Sequence, residues 1–185
     1  MQKGRVLIAP ILTLLMVFWG CVSTPSANAD DVVYLKNNIH YQQGTRDSKA
    51  SYANWTNPGQ GHKILPVNAA VKIRKWRSGF VIIDMEDGTE VLFEFHSKRM
   101  NMSVQEYQSL ITSPSKVSLN SLSEIDKKGI QEGKTYPGMT KDGVRMALGY
   151  PAVHKTPSLE SDRWIYWTNR FRSIAVEFDS QGRVK

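Results

Sequence analysis

The sequence lacks most of what would stabilise a chain apart from side-chain packing. Its 185 residues contain one cysteine, Cys21, so no disulfide can form within the chain. The longest apolar run without a charge, from Val6 to Gly20, contains a proline and is shorter than the roughly 20 residues that span a membrane as a helix. Both absences favour an ordinary globular fold that rests on packing alone.

Motifs of catalysis and cofactor binding are lacking as well. The four histidines are His40, His62, His96 and His154. They lie too far apart in the chain for a local metal motif, and the sequence has no serine nucleophile elbow. The glycines of Pro58–Lys63 lack the strand-to-helix setting of a phosphate loop. We therefore predict no enzyme, no cofactor, no metal and no catalytic residue.

The first twenty residues have the organisation of an export signal. Lys3 and Arg5 precede the apolar run, and Cys21 follows it directly, as in the signal of a bacterial lipoprotein. A competing site of the small-x-small type lies at Ala27–Ala29. We predict a signal peptide over residues 1–20, lipidation of Cys21 and a flexible tether over 21–30, with cleavage after residue 29 as the alternative.

The charge of the chain is modestly basic. The formal net charge is +7, and Lys3 and Arg5 of the signal contribute two of these charges. Outside the cytoplasm, a basic excess favours anionic lipid head groups or peptidoglycan over nucleic acid. The simpler interpretation, that scattered lysines and arginines keep the protein in solution, stays open.

Residues 31–100 read as a small β domain. Short strands are predicted at 31–36, 69–76, 80–85 and 90–96, and Asp87–Gly88 is a strong hairpin signal between the last two. The polar stretch from Asn37 to Pro66 is predicted as one long loop, with at most a strand near its middle. Strands that follow one another without a helix indicate a small antiparallel barrel or sandwich, and the segments of this one look like a bacterial SH3-like barrel.

Helical periodicity begins at Ser103, which forms a capping box with Glu106, and residues 101–120 are predicted as a helix and linker. Two more helices are predicted, one capped by Ser121 with Glu124 and one beginning at Thr140. Strands at 163–168 and 173–178 follow, with a further short strand at the end of the sequence. This order predicts an α+β unit over 121–185, in which two helices cover an antiparallel sheet of two to three strands.

The C-terminal third contains a Gly-Met-Thr helix start, a Leu-Gly-x-Pro stop, a Trp-x-Tyr strand and a final strand and turn, in this order. The positions concerned are Gly138, Met139, Thr140, Val144, Leu148, Gly149, Pro151, Trp164, Tyr166, Phe178 and Gly182. In these motifs the chain resembles the SmpA/OmlA family, small outer-membrane lipoproteins typified by the BamE subunit of the barrel-assembly machine. A typical member is little more than this one domain, whereas here an exported segment of about 90 residues precedes it.

The resemblance implies a protein that binds other envelope proteins and anionic lipid near the outer membrane without catalysing a reaction. It favours attachment to the periplasmic face of the outer membrane and a role in outer-membrane protein assembly or envelope integrity. The alternative is a soluble periplasmic module that binds peptidoglycan or peptides through the SH3-like domain.

Both faces of the strand Arg163–Trp167 are apolar, which raises the question of what covers the second face. One answer is the protein's own core and neighbouring domain. The other is a partner, because aromatic residues flanked by arginine are enriched at binding hot spots. On the second interpretation, the predicted partner-binding residues are Trp164, Tyr166, Trp167 and Arg170.

Overall fold

The computed structural model of the protein describes residues 31–185, and the predicted signal, Cys21 and the tether lie outside these residues. Ten strands are assigned: β1 Val33–Leu35, β2 Ile39–Gln43, β3 Ser48–Ser51, β4 His62–Leu65, β5 Ala70–Trp76, β6 Gly79–Asp84, β7 Glu90–Glu94, β8 Thr112–Ser113, β9 Arg163–Trp167 and β10 Ser173–Glu177. Four short helices are assigned: α1 Ser97–Met100, α2 Val104–Ile111, α3 Glu124–Glu132 and α4 Lys141–Leu148.

The first eight strands form one curled, mixed sheet in the order β4-β2-β3-β7-β6-β5-β1-β8. Its centre is the hairpin of β6 and β7, and Gly88 in the turn has a φ of 75°, which suits glycine. The predicted hairpin is therefore confirmed. The strands β3 and β7 pair in parallel, while the other strand pairs of this sheet are antiparallel.

One hydrophobic cluster fills this sheet. The rings of Phe80 and Phe93 stack with their centroids 4.6 Å apart, and Tyr107 of α2 packs beside them. The predicted capping box of Ser103 and Glu106 starts α2 as expected. Because Tyr107 and Ile111 are fully buried in this cluster, α2 is part of the fold of the first sheet.

The stretch from Asn37 to Pro66 is not a loop, which corrects the sequence prediction. It supplies β2, β3 and β4, three of the eight strands in the large sheet. The alternation of apolar residues is weak there because several buried side chains are polar, among them Asn38 and His40. These side chains are satisfied by hydrogen bonds to distant backbone, which a periodicity of hydrophobic residues cannot show.

A second hydrophobic cluster involves α3, α4, β9 and β10. Thr140 caps α4 as predicted, but Ser123, not Ser121, caps α3, in a capping box with Asp126. The buried carboxylate of Asp126 also accepts a 2.8 Å hydrogen bond from the backbone N–H of Thr140. It thereby joins the starting turns of the two helices.

The predicted fold class is wrong. The first unit is not a small antiparallel barrel of the SH3 type, because its sheet has eight strands and includes a parallel pair. The C-terminal region is not a layer of two helices on a sheet, because only β9 and β10 form its sheet and the helices are short. The last predicted strand is reduced to isolated bridges, including one from Phe178 to Val184.

A polar seam joins the two clusters. The amide of Asn38 donates to the carbonyl of Ile130 at 2.7 Å, and its backbone N–H donates to the carbonyl of Met146 at 2.8 Å. The side chain of Asn54 donates to the carbonyl of Tyr150 at 2.6 Å. The carbonyls of Ile130 and Met146 lie in the last turns of α3 and α4, where a helix runs out of its own N–H donors, and Tyr150 lies two residues beyond α4.

Candidate functional site

The strand β9 places two of the predicted partner-binding residues in the core. Trp164 and Tyr166 have exposed fractions of 1% and 0%. The ring of Trp164 packs edge-on against Phe178, and the hydroxyl of Tyr166 donates to the carbonyl of Gly149 at 3.0 Å. Neither side chain has surface to offer a partner, so their role in this fold is packing.

The opposite face of β9 is covered largely by the chain itself. The ring of Trp167 stacks on His154 at 5.5 Å, and its backbone carbonyl accepts a hydrogen bond from the N–H of Thr56. Ile165 donates its N–H to the hydroxyl of Thr156. The pKa of His154 is lowered by desolvation and then by the charges of neighbouring basic residues. The side chain of Trp167 is therefore half-buried and not fully open to a partner.

The tip of the β9–β10 hairpin is different. The side-chain oxygen of Asn169 accepts hydrogen bonds from the N–H groups of Phe171 and Arg172, at 2.9 and 3.0 Å. This local turn holds the backbone in place. Phe171 nevertheless is 89% exposed, and Arg170 and Arg172 on either side of it are exposed too. We call these three residues, Arg170, Phe171 and Arg172, the Arg–Phe tip.

Two recesses lie beside the Arg–Phe tip and share Gln42, Trp55 and Arg170. The first has a volume of about 400 Å³ and is completed by Pro58, Asn169 and Phe171. The second, of about 300 Å³, is completed by the turn between β2 and β3 and by Lys49. Trp55 is 9% exposed and has a positive φ of 38°, an uncommon conformation for a bulky residue.

Positive charge dominates the second recess. Arg46, Lys49 and Arg170 line it, and Asp47 is the one carboxylate in its lining. Asp47 lies 3.3 Å from the ammonium of Lys49. Neither Arg46 nor Arg170 makes an ion pair or a side-chain hydrogen bond with any residue between 31 and 185. Two arginines that have no ion pair within residues 31–185 therefore line one recess, beside the recess that Phe171 lines.

The four histidines, distant in sequence, come together in two places. The Nε2 of His40 donates to the carbonyl of Ala147 at 2.8 Å, so its Nδ1 accepts from the Nε2 of His62 at 3.0 Å. His96 and His154 flank the ring of Tyr52. Within the part of the chain that the structure describes, no group of three or more potential ligands is placed to hold a metal ion.

Sequence reasoning named Arg170 but missed Phe171, Arg46 and Trp55. A phenylalanine between two arginines in a hairpin turn is a readable signal for an exposed aromatic residue. The approach of Arg46 to Arg170 is not readable, because it depends on the turn between β2 and β3, within a stretch that the pattern assigns to a loop.

Between residues 31 and 185, no helix has the length and apolar character needed to cross a bilayer. No family model, curated protein or solved structure matches the chain. The resemblance of residues 121–185 to the SmpA/OmlA lipoproteins therefore stays a prediction.

Proposed function

We propose that the protein is a non-catalytic binding protein of the cell envelope that rests on an anionic lipid surface through its Arg–Phe tip. The observation that carries this proposal is the nearly complete exposure of Phe171 between two exposed arginines, on a turn fixed by Asn169. Covering this ring removes apolar surface from water, which favours a contact between the tip and an apolar layer. The flanking charges indicate that the partner is anionic.

The expected strength of this contact suits a protein that is also attached elsewhere. Burying the ring of Phe171 contributes about 2 kcal/mol, and each arginine near an anionic surface contributes about 1 kcal/mol. Their sum of about 4 kcal/mol corresponds to a dissociation constant of roughly 1 mM. Such a contact is too weak to hold a free protein on a membrane, but it orients one anchored through a lipid, such as that predicted for Cys21.

The test uses the full chain with the photo-crosslinking amino acid p-benzoylphenylalanine at position 171. The protein is reconstituted with phosphatidylcholine vesicles, with or without 30% phosphatidylglycerol, and mass spectrometry identifies the adducts. The same label at position 159 is the matched control, because Leu159 is 38% exposed and precedes β9, at the end of the hairpin opposite the tip. We expect lipid adducts at position 171 that require phosphatidylglycerol, and few at position 159.

Because the label reports on its own surroundings, attachment of the chain through its N-terminal residues does not produce the signal. Equal lipid labelling at both positions, or labelling at position 171 that ignores the anionic lipid, would contradict the proposal. Adducts of position 171 with a protein in envelope preparations, in place of lipid, would assign the tip to a protein partner instead.

A further inference from the structure

The recess beside the tip has the chemistry of a phosphate site. It is formed by Gly44, Thr45, Arg46 and Asp47 of the β2–β3 turn, by Lys49, and by Arg170 from the tip. Three basic residues, Arg46, Lys49 and Arg170, thus line one volume of about 300 Å³ together with Thr45. A guanidinium group matches the geometry of phosphate oxygens with two parallel N–H donors, so two of them favour phosphate strongly.

The charges of this recess are available to a ligand. Asp47 is occupied by Lys49, whereas Arg46 and Arg170 have no ion pair within residues 31–185. Two unpaired like charges that line the same recess repel each other, and a bound anion would remove this repulsion. A dianion relieves it more than a monoanion does, which favours a terminal phosphate monoester over a phosphodiester.

The turn that carries Arg46 is fixed by its own hydrogen bonds. The N–H of Gly44 donates to the carbonyl of Asp47 at 2.9 Å, and a Cβ built on Gly44 would lie 2.9 Å from that same oxygen. Gln43 and Ser48 pair across β2 and β3 directly beside the turn. Arg46 is therefore presented from a tight turn on a sheet, which lowers the entropic cost of binding.

The adjoining recess indicates what accompanies the phosphate. It is lined by Trp55, Pro58 and the exposed Phe171, and Arg170 belongs to both recesses. A ligand that fills both recesses has a phosphate at one end and an apolar part at the other. This is the chemistry of a lipid whose head group ends in a phosphate monoester.

We infer that the Arg46–Arg170 recess binds the terminal phosphate monoester of a lipid head group, while Phe171 contacts the apolar part of that lipid. This inference rests on the proposed function and adds to it a preference among anionic lipids. Neither recess belongs to the C-terminal third alone, because Arg46, Lys49 and Trp55 come from the large sheet and its connections.

The experiment uses the full chain with p-benzoylphenylalanine at position 171, in vesicles that contain equal amounts of phosphatidic acid and phosphatidylglycerol. We expect at least five times more adducts with phosphatidic acid, the monoester, than with phosphatidylglycerol, the diester. Arg46→Ala should lower this ratio to about one while the total lipid labelling stays within a factor of two. Lys75→Ala, which removes one exposed charge from the distant β5–β6 hairpin, should leave the ratio unchanged.

Each outcome has a distinct meaning. A ratio near one in the chain with Arg46 intact overturns the recess site and leaves the proposed function standing, whereas the absence of lipid adducts overturns both. If Arg46→Ala and Lys75→Ala lower the ratio of phosphatidic acid adducts to phosphatidylglycerol adducts equally, the effect is one of general charge, and the site is overturned. Tight binding of glycerol 3-phosphate in the absence of vesicles, without a preference between the two lipids, would assign the recess to soluble phosphate esters rather than lipids.

Discussion

Two parts of the β9–β10 hairpin have similar compositions and opposite environments. On the inward face of β9, which we call the base, Trp164 and Tyr166 are buried in the second cluster, and at the tip, Phe171 stands almost wholly in water. Both parts combine aromatic residues with arginine, so composition alone does not separate them. The difference is that the base packs against carbonyls and apolar side chains of the same chain, while the ring of Phe171 is left almost uncovered. An aromatic residue flanked by arginine is therefore available to a partner only where the fold leaves it uncovered.

The largest expected effect on stability comes from removing a buried indole ring at the base. Trp164→Ala should lower the free energy of unfolding by about 3 to 5 kcal/mol, because it leaves a cavity among buried residues of the second cluster. Urea denaturation followed by circular dichroism measures this loss. Trp164→Phe is the matched control and should cost clearly less, since the indole N–H has no hydrogen-bond partner within the described chain. Equal losses in the two variants would show that the base is not close-packed.

Acid should destabilise the contact between β2 and α4, in which His40 is hydrogen-bonded to the carbonyl of Ala147. His40 is buried, and desolvation lowers its pKa from 6.5 to about 4, with a smaller contribution in the same direction from His62. The folded pKa lies below the unfolded value, so the unfolded chain binds more protons between these two pH values. The stability linked to neutral His40 is complete above pH 6.5 and declines as the pH falls toward 4, by about 3 kcal/mol.

Denaturation at a series of pH values between 7 and 4 measures this decline. His40→Gln removes the titrating ring and can keep a hydrogen bond to the carbonyl of Ala147, so its stability should change less with pH over this range. A pH dependence that is the same in the variant would assign the acid sensitivity to other groups. The Arg–Phe tip, which has no hydrogen bond to His40, should keep its lipid labelling until the fold is lost.

A smaller effect is expected from a single hydroxyl at the base. Tyr166→Phe removes the hydrogen bond to the carbonyl of Gly149 and leaves that buried oxygen without this donor. The free energy of unfolding should fall by about 1 to 2 kcal/mol. Phe171→Tyr, which adds a hydroxyl in solvent, should leave the unfolding curve unchanged. A loss for the Tyr166 variant no larger than for this control would mean that the hydrogen bond contributes nothing.

Sequence reasoning identified the elements whose signals are local. The Asp87–Gly88 turn, the capping box of Ser103 and the cap of Thr140 depend on neighbours within four residues, and all three are confirmed. It failed where burial is polar or pairing is distant. The side chains of Asn38 and His40 can be buried because they donate hydrogen bonds to the carbonyls of Ile130 and Ala147. Donor and acceptor lie about 90 to 110 residues apart, so no short stretch of sequence contains both. The parallel pairing of β3 with β7 has the same non-local origin.

The same distinction between local and distant partners explains why only part of the candidate site could be predicted from the sequence. Arg170 and Phe171 follow from one turn, but the recess also needs Arg46, which is more than a hundred residues away in the chain. A binding surface that joins two hairpins can be recognised only after both are placed. For β9 the sequence left open which face was inside, because both faces are apolar, and it named Trp164 and Tyr166 as partner-binding residues, whereas the structure buries both.

The smallest expected effect on stability is also the most informative for function. Phe171→Ser should change the free energy of unfolding by less than about 0.5 kcal/mol, because an 89% exposed ring contributes little packing to the folded state. Urea denaturation checks this value. The surface pressure of an anionic lipid monolayer, or the orientation of the lipid-bound protein, checks the loss of the tip contact. A loss above 1 kcal/mol would mean that the ring serves the fold, as Trp164 does. If stability and the membrane contact both stay unchanged, the tip is an ordinary turn. This variant therefore separates a ring that contacts something outside the chain from a ring that serves the fold and from a ring in an ordinary turn.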